Sequence, residues 1–124
     1  MEKNKKEGRT IAFAFPAEKF KEYLKDEKVS SASELTMAQA ENIFFKIRED
    51  FLKGKLGFDE FSSFCHELWW KQLMKDKASF ETKIGRILYT GSELSFYLRT
   101  IQDKKNGEIF LDNLREVLKY GKEE

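Results

Sequence analysis

Residues 36–75 read TMAQAENIFFKIREDFLKGKLGFDEFSSFCHELWWKQLMK, and two helical periodicities run through them on either side of a glycine turn. Thr36 and Gln39 have the three-residue spacing of a capping box, with Leu35 and Ala40 placed as a hydrophobic staple, so a helix is expected to begin at Thr36. Its apolar face is Ala40, Ile43, Phe44, Ile47 and Phe51, at the three- and four-residue steps of an amphipathic helix. Gly54 and Gly57 end it. Asp59 is placed to cap a following helix that carries Phe61, Phe64, Cys65, Leu68, Trp69 and Leu73 inward.

The same reading extends in both directions. Pro16, the only proline, suits the first position of a helix over AEKFKEYLKDEK with Phe20, Tyr23 and Leu24 on one face, and VSSAS breaks it. Downstream, Ser79 is expected to cap a helix with Phe80, Ile84, Ile87 and Leu88 inward, closed by Gly91. Ser92 would cap a further one holding Leu94, Tyr97, Leu98 and Ile101, and Asp112 a short last one with Leu114, Val117 and Leu118. The expected fold is all-α, a compact bundle of five or six short helices in one domain spanning residues 1–124. TIAFAF (10–15) alternates large and small apolar groups, as a short extended segment does; residues 1–9 and 120–124 are expected to be flexible.

Composition bounds the function. The chain has 124 residues, 36% charged and 15% aromatic, with twelve Phe and a net charge of +1. That is too aromatic for a disordered chain and too charged for a membrane protein. There is neither an apolar run of about 18 residues nor a secretory leader pattern, so a cytoplasmic, membrane-free protein is expected. The single cysteine, Cys65, allows no internal disulfide.

No catalytic constellation emerges. Cys65 and His66 are adjacent on a helix and point about 100° apart, so they share neither an ion nor a proton. Zinc-ligand spacings, a glycine-rich phosphate loop and a GxSxG elbow are all missing. Glu49/Asp50 and Asp59/Glu60 sit at helix ends, where capping or solvation explains them. No enzyme activity, metal or cofactor is expected, and Cys65 reads as a core thiol.

GKLGFDEF (54–61) and GEIFLDNL (107–114) share a glycine, an aliphatic, an aspartate and a closing apolar residue in register. The echo implies two similar helix–turn–helix entries and resembles the second half of an EF-hand loop. A calcium ion needs several oxygen ligands, whereas this register offers Phe51 and Lys53 at two ligand positions of the first loop and Lys104 at one of the second. A degenerate, metal-free pair is the most it implies, and two ordinary helix starts after glycine turns are the plainer reading.

Charge is unevenly placed. Trp69 to Lys105 holds eight cations against four acids. Lys71 and Lys75 fall four apart on one helix, Lys83 and Arg86 three apart on the next, and two short helices would offer one basic ridge. Such a ridge neutralises phosphates without reading bases, with salt-sensitive affinity. Gly85, within an apolar helix face, would let another backbone approach closely. Solvated helix surface is the plain alternative.

From about Leu35 to Lys104 the order of features resembles the small helical subunit of multi-subunit CRISPR effector complexes. LTMAQAENIF is similar to the threonine-capped opening helix of the type III form, and LMKDKASFETKIGRILYTGSELSFYLRTIQDK to the type I-D pattern of a basic turn, a basic helix and a helix ending in a tyrosine–leucine–arginine-like triplet. The resemblance implies a non-catalytic subunit, present in several copies, that packs on other effector subunits. It would hold a guide–target hybrid or a displaced strand by the backbone. Lys75, Lys77, Lys83, Arg86 and Arg99 are the contacts it implies; Lys71, Arg48 and Lys53 are added from helix geometry. The other function carried forward is a protein-binding helical module, either a degenerate EF-hand-like pair or a small immunity or adaptor protein.

Overall fold

A computed structural model describes residues 15–122; TIAFAF up to Ala14, the lead 1–9 expected to be flexible and residues 123–124 lie outside them. Among the described residues there are five α-helices and no strand: α1 (Ala17–Asp26), α2 (Met37–Leu52), α3 (Phe58–Lys75), α4 (Lys83–Arg99) and α5 (Lys104–Lys119). Short 3-10 turns precede α2 (Ala32–Glu34) and α4 (Lys77–Glu81). No described helix is long and apolar enough to cross a membrane.

The capping box at Thr36 is present in full. The Thr36 hydroxyl accepts from the Gln39 amide at 3.1 Å, and the Gln39 side chain accepts from the Thr36 amide at 2.9 Å. Ala40, Ile43, Phe44 and Ile47 are buried as expected, as are Phe61, Phe64, Cys65 and Leu68 of α3 and Phe20, Tyr23 and Leu24 of α1. Rings bind these layers together: Phe51 stacks on Phe61 at 4.9 Å, and Phe20 lies 5.1 Å from Phe64.

Other boundaries differ from expectation. Gly57, not Asp59, caps α3, and Glu60 reaches back to accept from the Gly57 amide at 2.8 Å while pairing with Lys19 at 3.0 Å. Those two contacts, the amide first, hold the Glu60 carboxyl below its ordinary value. Residues 83–99 form one helix capped by Thr82 rather than two capped by Ser79 and Ser92. Ser92 donates back to the Tyr89 carbonyl at 2.6 Å and stays within the helix. Gly91 is bare because α3 presses on it: a Cβ there would meet Cys65 Sγ at 2.6 Å. α3 and α4 form the most extensive helix pair, with α5 next against α4.

The last helix starts at Asp103, whose carboxylate accepts from the Lys105 amide at 2.9 Å, not at Asp112. GEIFLDNL therefore lies wholly inside α5, whereas GKLGFDEF is a turn followed by a helix start. The echo is not a structural repeat. Leu98 and Ile101, expected inward, are exposed, and Tyr120, expected in a flexible tail, is buried and donates its hydroxyl to Glu41.

Candidate docking site

The eight cations named from sequence do not share one face. Arg48 is buried. It lies one turn beyond Phe44 on the core stripe, donates from Nη1 to the Val117 and Tyr120 carbonyls at 3.0 and 2.7 Å, and lies 5.2 Å from the centroids of Phe44 and Phe45. A guanidinium consumed at a helix C-terminus is not available to a phosphate. The signal that separates it from surface cations was in the sequence: i+4 from Phe44 and next to Ile47.

Lys53 stands at the α2–α3 turn, and Arg99 ends α4 and pairs with Asp59 at 3.7 Å. Both belong to the end of α3 opposite Lys75, a helix of 18 residues away, or about 27 Å. Lys71 lies 4.0 Å from Glu67. Lys75 donates to the Leu35 carbonyl on the α2 side of the molecule. Lys77, Lys83 and Arg86 remain, and they have no ion pair among the described residues.

Those three flank an aromatic surface that arises from local folding between α3 and α4. Asp76 ends α3 and accepts from the Ala78 amide at 3.0 Å, which starts the 3-10 turn. Thr82 closes that turn by donating to the Ser79 carbonyl at 2.7 Å, and its hydroxyl accepts from the Gly85 amide at 3.0 Å to cap α4. The turn sits directly on α4 because Gly85 has no Cβ; one placed there would lie 2.0 Å from the Ser79 carbonyl oxygen. The close approach expected of Gly85 is thus made by the chain's own turn.

The turn carries Phe80 outward rather than inward. Its ring packs edge-on against Tyr89 at 5.6 Å, Tyr89 lies 5.1 Å from Trp69, and Trp69 lies 5.9 Å from Trp70. His66 stacks beyond, 6.4 Å from Trp70. Trp69, Trp70, Phe80 and Tyr89, with Leu73 and Met74, line an open groove of about 560 Å³, rimmed by Lys77. Met74 is 68% exposed, Trp70 43% and Phe80 40%. The Trp69 indole nitrogen is covered and has no acceptor among the described residues.

On the other side of Phe80 and Tyr89, a second groove between α4 and α5 holds Lys83, Arg86 and Lys119 against one acid, Glu116. Lys119 also lacks an ion pair among the described residues. Sequence reading missed it, since it comes from more than thirty residues downstream and only the fold brings it to Arg86.

Burial pushes the Cys65 thiol well above its ordinary range, which suppresses the thiolate needed for nucleophilic work. No group of three or more His, Cys, Asp or Glu that could hold a metal ion occurs among the described residues. What the arrangement can do is bury apolar area and offer cations at its edge.

In comparisons with protein-family models, curated proteins and solved structures, the chain matches none.

Proposed function

We propose that this protein is a non-catalytic protein-binding helical module, of the small immunity or adaptor kind, docking through the aromatic face built by α3, the 3-10 turn and α4. One observation carries the reading: Trp70, Met74, Phe80 and Tyr89 are contiguous, large and exposed. Covering a side chain of this size contributes about 1.5–3 kcal/mol, whereas a screened surface ion pair contributes roughly 0–1 kcal/mol. On this face, therefore, apolar burial dominates and charge selects. Contiguous exposed apolar groups with a polar rim are the usual mark of an interaction surface.

A second reading, sequence-independent nucleic-acid binding as in a CRISPR effector small subunit, rests on Lys83, Arg86 and Lys119 sharing one groove beside Tyr89. Three phosphate contacts to a single strand imply a log–log salt slope of only about −2. That is weak for a lone subunit.

A photo-crosslinking side chain placed at Met74, and separately at Lys53, tests the docking reading in the producing cells. The expected result is a discrete protein adduct from position 74 alone. Titration of the purified partner should then show binding weakened at least about 30-fold by Met74→Glu, the scale of an interface hot spot. Equal adducts from both positions, or an adduct to nucleic acid only, sinks it.

A further inference from the structure

We infer that the element this face receives is an acidic amphipathic α-helix of a partner protein, laid along the Trp70–Met74–Phe80 groove with its carboxylates toward Lys77, Lys83 and Arg86. The inference rests on the docking reading above and specifies its occupant.

The floor selects a helix. Its walls are the sides of α3 and α4 with the turn between them, and no sheet edge exists among the described residues. An extended peptide gains affinity from main-chain hydrogen bonds to such an edge. On this floor it would press its own N–H and C=O groups against rings that cannot answer them, at a cost for each group covered. A helix arrives with those bonds already made. Apolar side chains at i, i+3, i+4 and i+7 then meet the exposed rings and the Met74 thioether, a soft surface that accommodates different shapes.

The rim selects acid. Lys77 borders the aromatic groove, and Lys83 and Arg86 lie just across the Phe80–Tyr89 wall with Lys119. Five acids lie nearby, and two of them are engaged. Asp76 caps the 3-10 turn, Glu67 lies beside Lys71, and Glu93 is near enough to Tyr89 to raise its phenol pKa. Glu81 and Glu116 remain exposed. Opposite charge across the rim fixes orientation and speeds encounter.

The same charge disfavours the two occupants nearest to hand. A second copy docked about a two-fold axis would set this rim against itself, cation to cation. The chain's own apolar stretch TIAFAF is preceded by Lys3, Lys5, Lys6 and Arg9 against Glu2 and Glu7, so its flank is basic as well.

Both tryptophans of the chain line this groove, so intrinsic emission reports on the site itself. The probes are two synthetic helical peptides of about five turns with the same leucine face, one bearing glutamate at every other position and one bearing lysine, together with an oligo-dT strand. The full chain at low salt should bind the glutamate peptide with a blue shift, at least roughly tenfold tighter than the lysine peptide. Met74→Glu should abolish the shift. The triple variant K77E/K83E/R86E should come to prefer the lysine peptide, a gain that misfolding cannot produce, with its urea midpoint confirming the fold. If both peptides bind alike, Met74→Glu abolishes both and the triple variant changes neither, the acidic helix is wrong while the docking face stands. If neither peptide shifts the emission and oligo-dT does, the docking reading falls too. A concentration-dependent dimer that Met74→Glu dissolves assigns the face to a second copy and overturns the inference.

Discussion

Two clusters in this molecule are made of the same parts, rings and cations, and end in opposite states. In the first, Phe44, Phe45 and Tyr120 enclose Arg48, whose guanidinium donates from Nη1 to two carbonyls at the end of α5. In the second, Trp70, Phe80 and Tyr89 stand open beside Lys77, Lys83 and Arg86, which have no ion pair among the described residues. Composition does not separate them. The first has acceptors because a helix C-terminus, with its unpaired carbonyls and partial negative charge, was brought to it. The second lies along the sides of α3 and α4, where the groove of Lys83 and Arg86 holds one acid, Glu116.

That contrast can be broken at either end. Arg48→Met keeps much of the volume but leaves the Val117 and Tyr120 carbonyls covered without that donor. It should cost about 2–4 kcal/mol in urea unfolding, from lost charge-assisted bonds at a buried site. A cost below about 0.5 kcal/mol, the range of ordinary surface changes, would mean the enclosed cluster is not a stability element. Tryptophan emission of the folded variant should be unchanged.

Gly85→Ala comes next and joins the two regions. Its Cβ would collide with the Ser79 carbonyl, so the 3-10 turn must move, at about 1–3 kcal/mol for an overpacked contact. Because Phe80 rides on that turn, unfolding free energy and peptide docking should fall together. Loss of one without the other would show that the wall is not positioned by this contact.

Glu60→Gln has a smaller, pH-shaped effect. The folded-state pKa of Glu60 is lowered, so its stabilising contribution is complete above the ordinary carboxylate value and is lost as pH falls through the lowered one. The variant should be less stable than the wild type at neutral pH, and the two curves should converge on acidification. Parallel curves down to the acid limb would exclude the capping and Lys19 contacts as the source.

Met74→Glu has the least effect on the fold, within about 0.5 kcal/mol, and the greatest on docking. A large loss of stability from it would mean that the groove belongs to the core.

The helices were legible where local signals were complete. Thr36 with Gln39 announced α2, and the apolar stripes of α1, α2 and the first half of α3 were read residue by residue. Gly91 and Ser92 were read as a break because glycine followed by a capping residue usually is one. Here the glycine serves a contact with Cys65, a partner 26 positions away, and no local rule sees it. Phe80 was placed inward by periodicity, yet the 3-10 turn ahead of Thr82 shifts the register and turns it out. The cation ridge failed for the same reason. A shared face is a tertiary property, and the fold turned Lys75 to the Leu35 carbonyl, enclosed Arg48, left Lys53 and Arg99 at the far end and added Lys119.

The seat of Cys65 beneath Gly91 has one more consequence. With the thiol fully covered and burial disfavouring its ionised form, a disulfide reagent in solution reaches it only when α3 and α4 part. The labelling rate of this one sulfur is then a clock for that separation, kept by the native chain without any introduced tag.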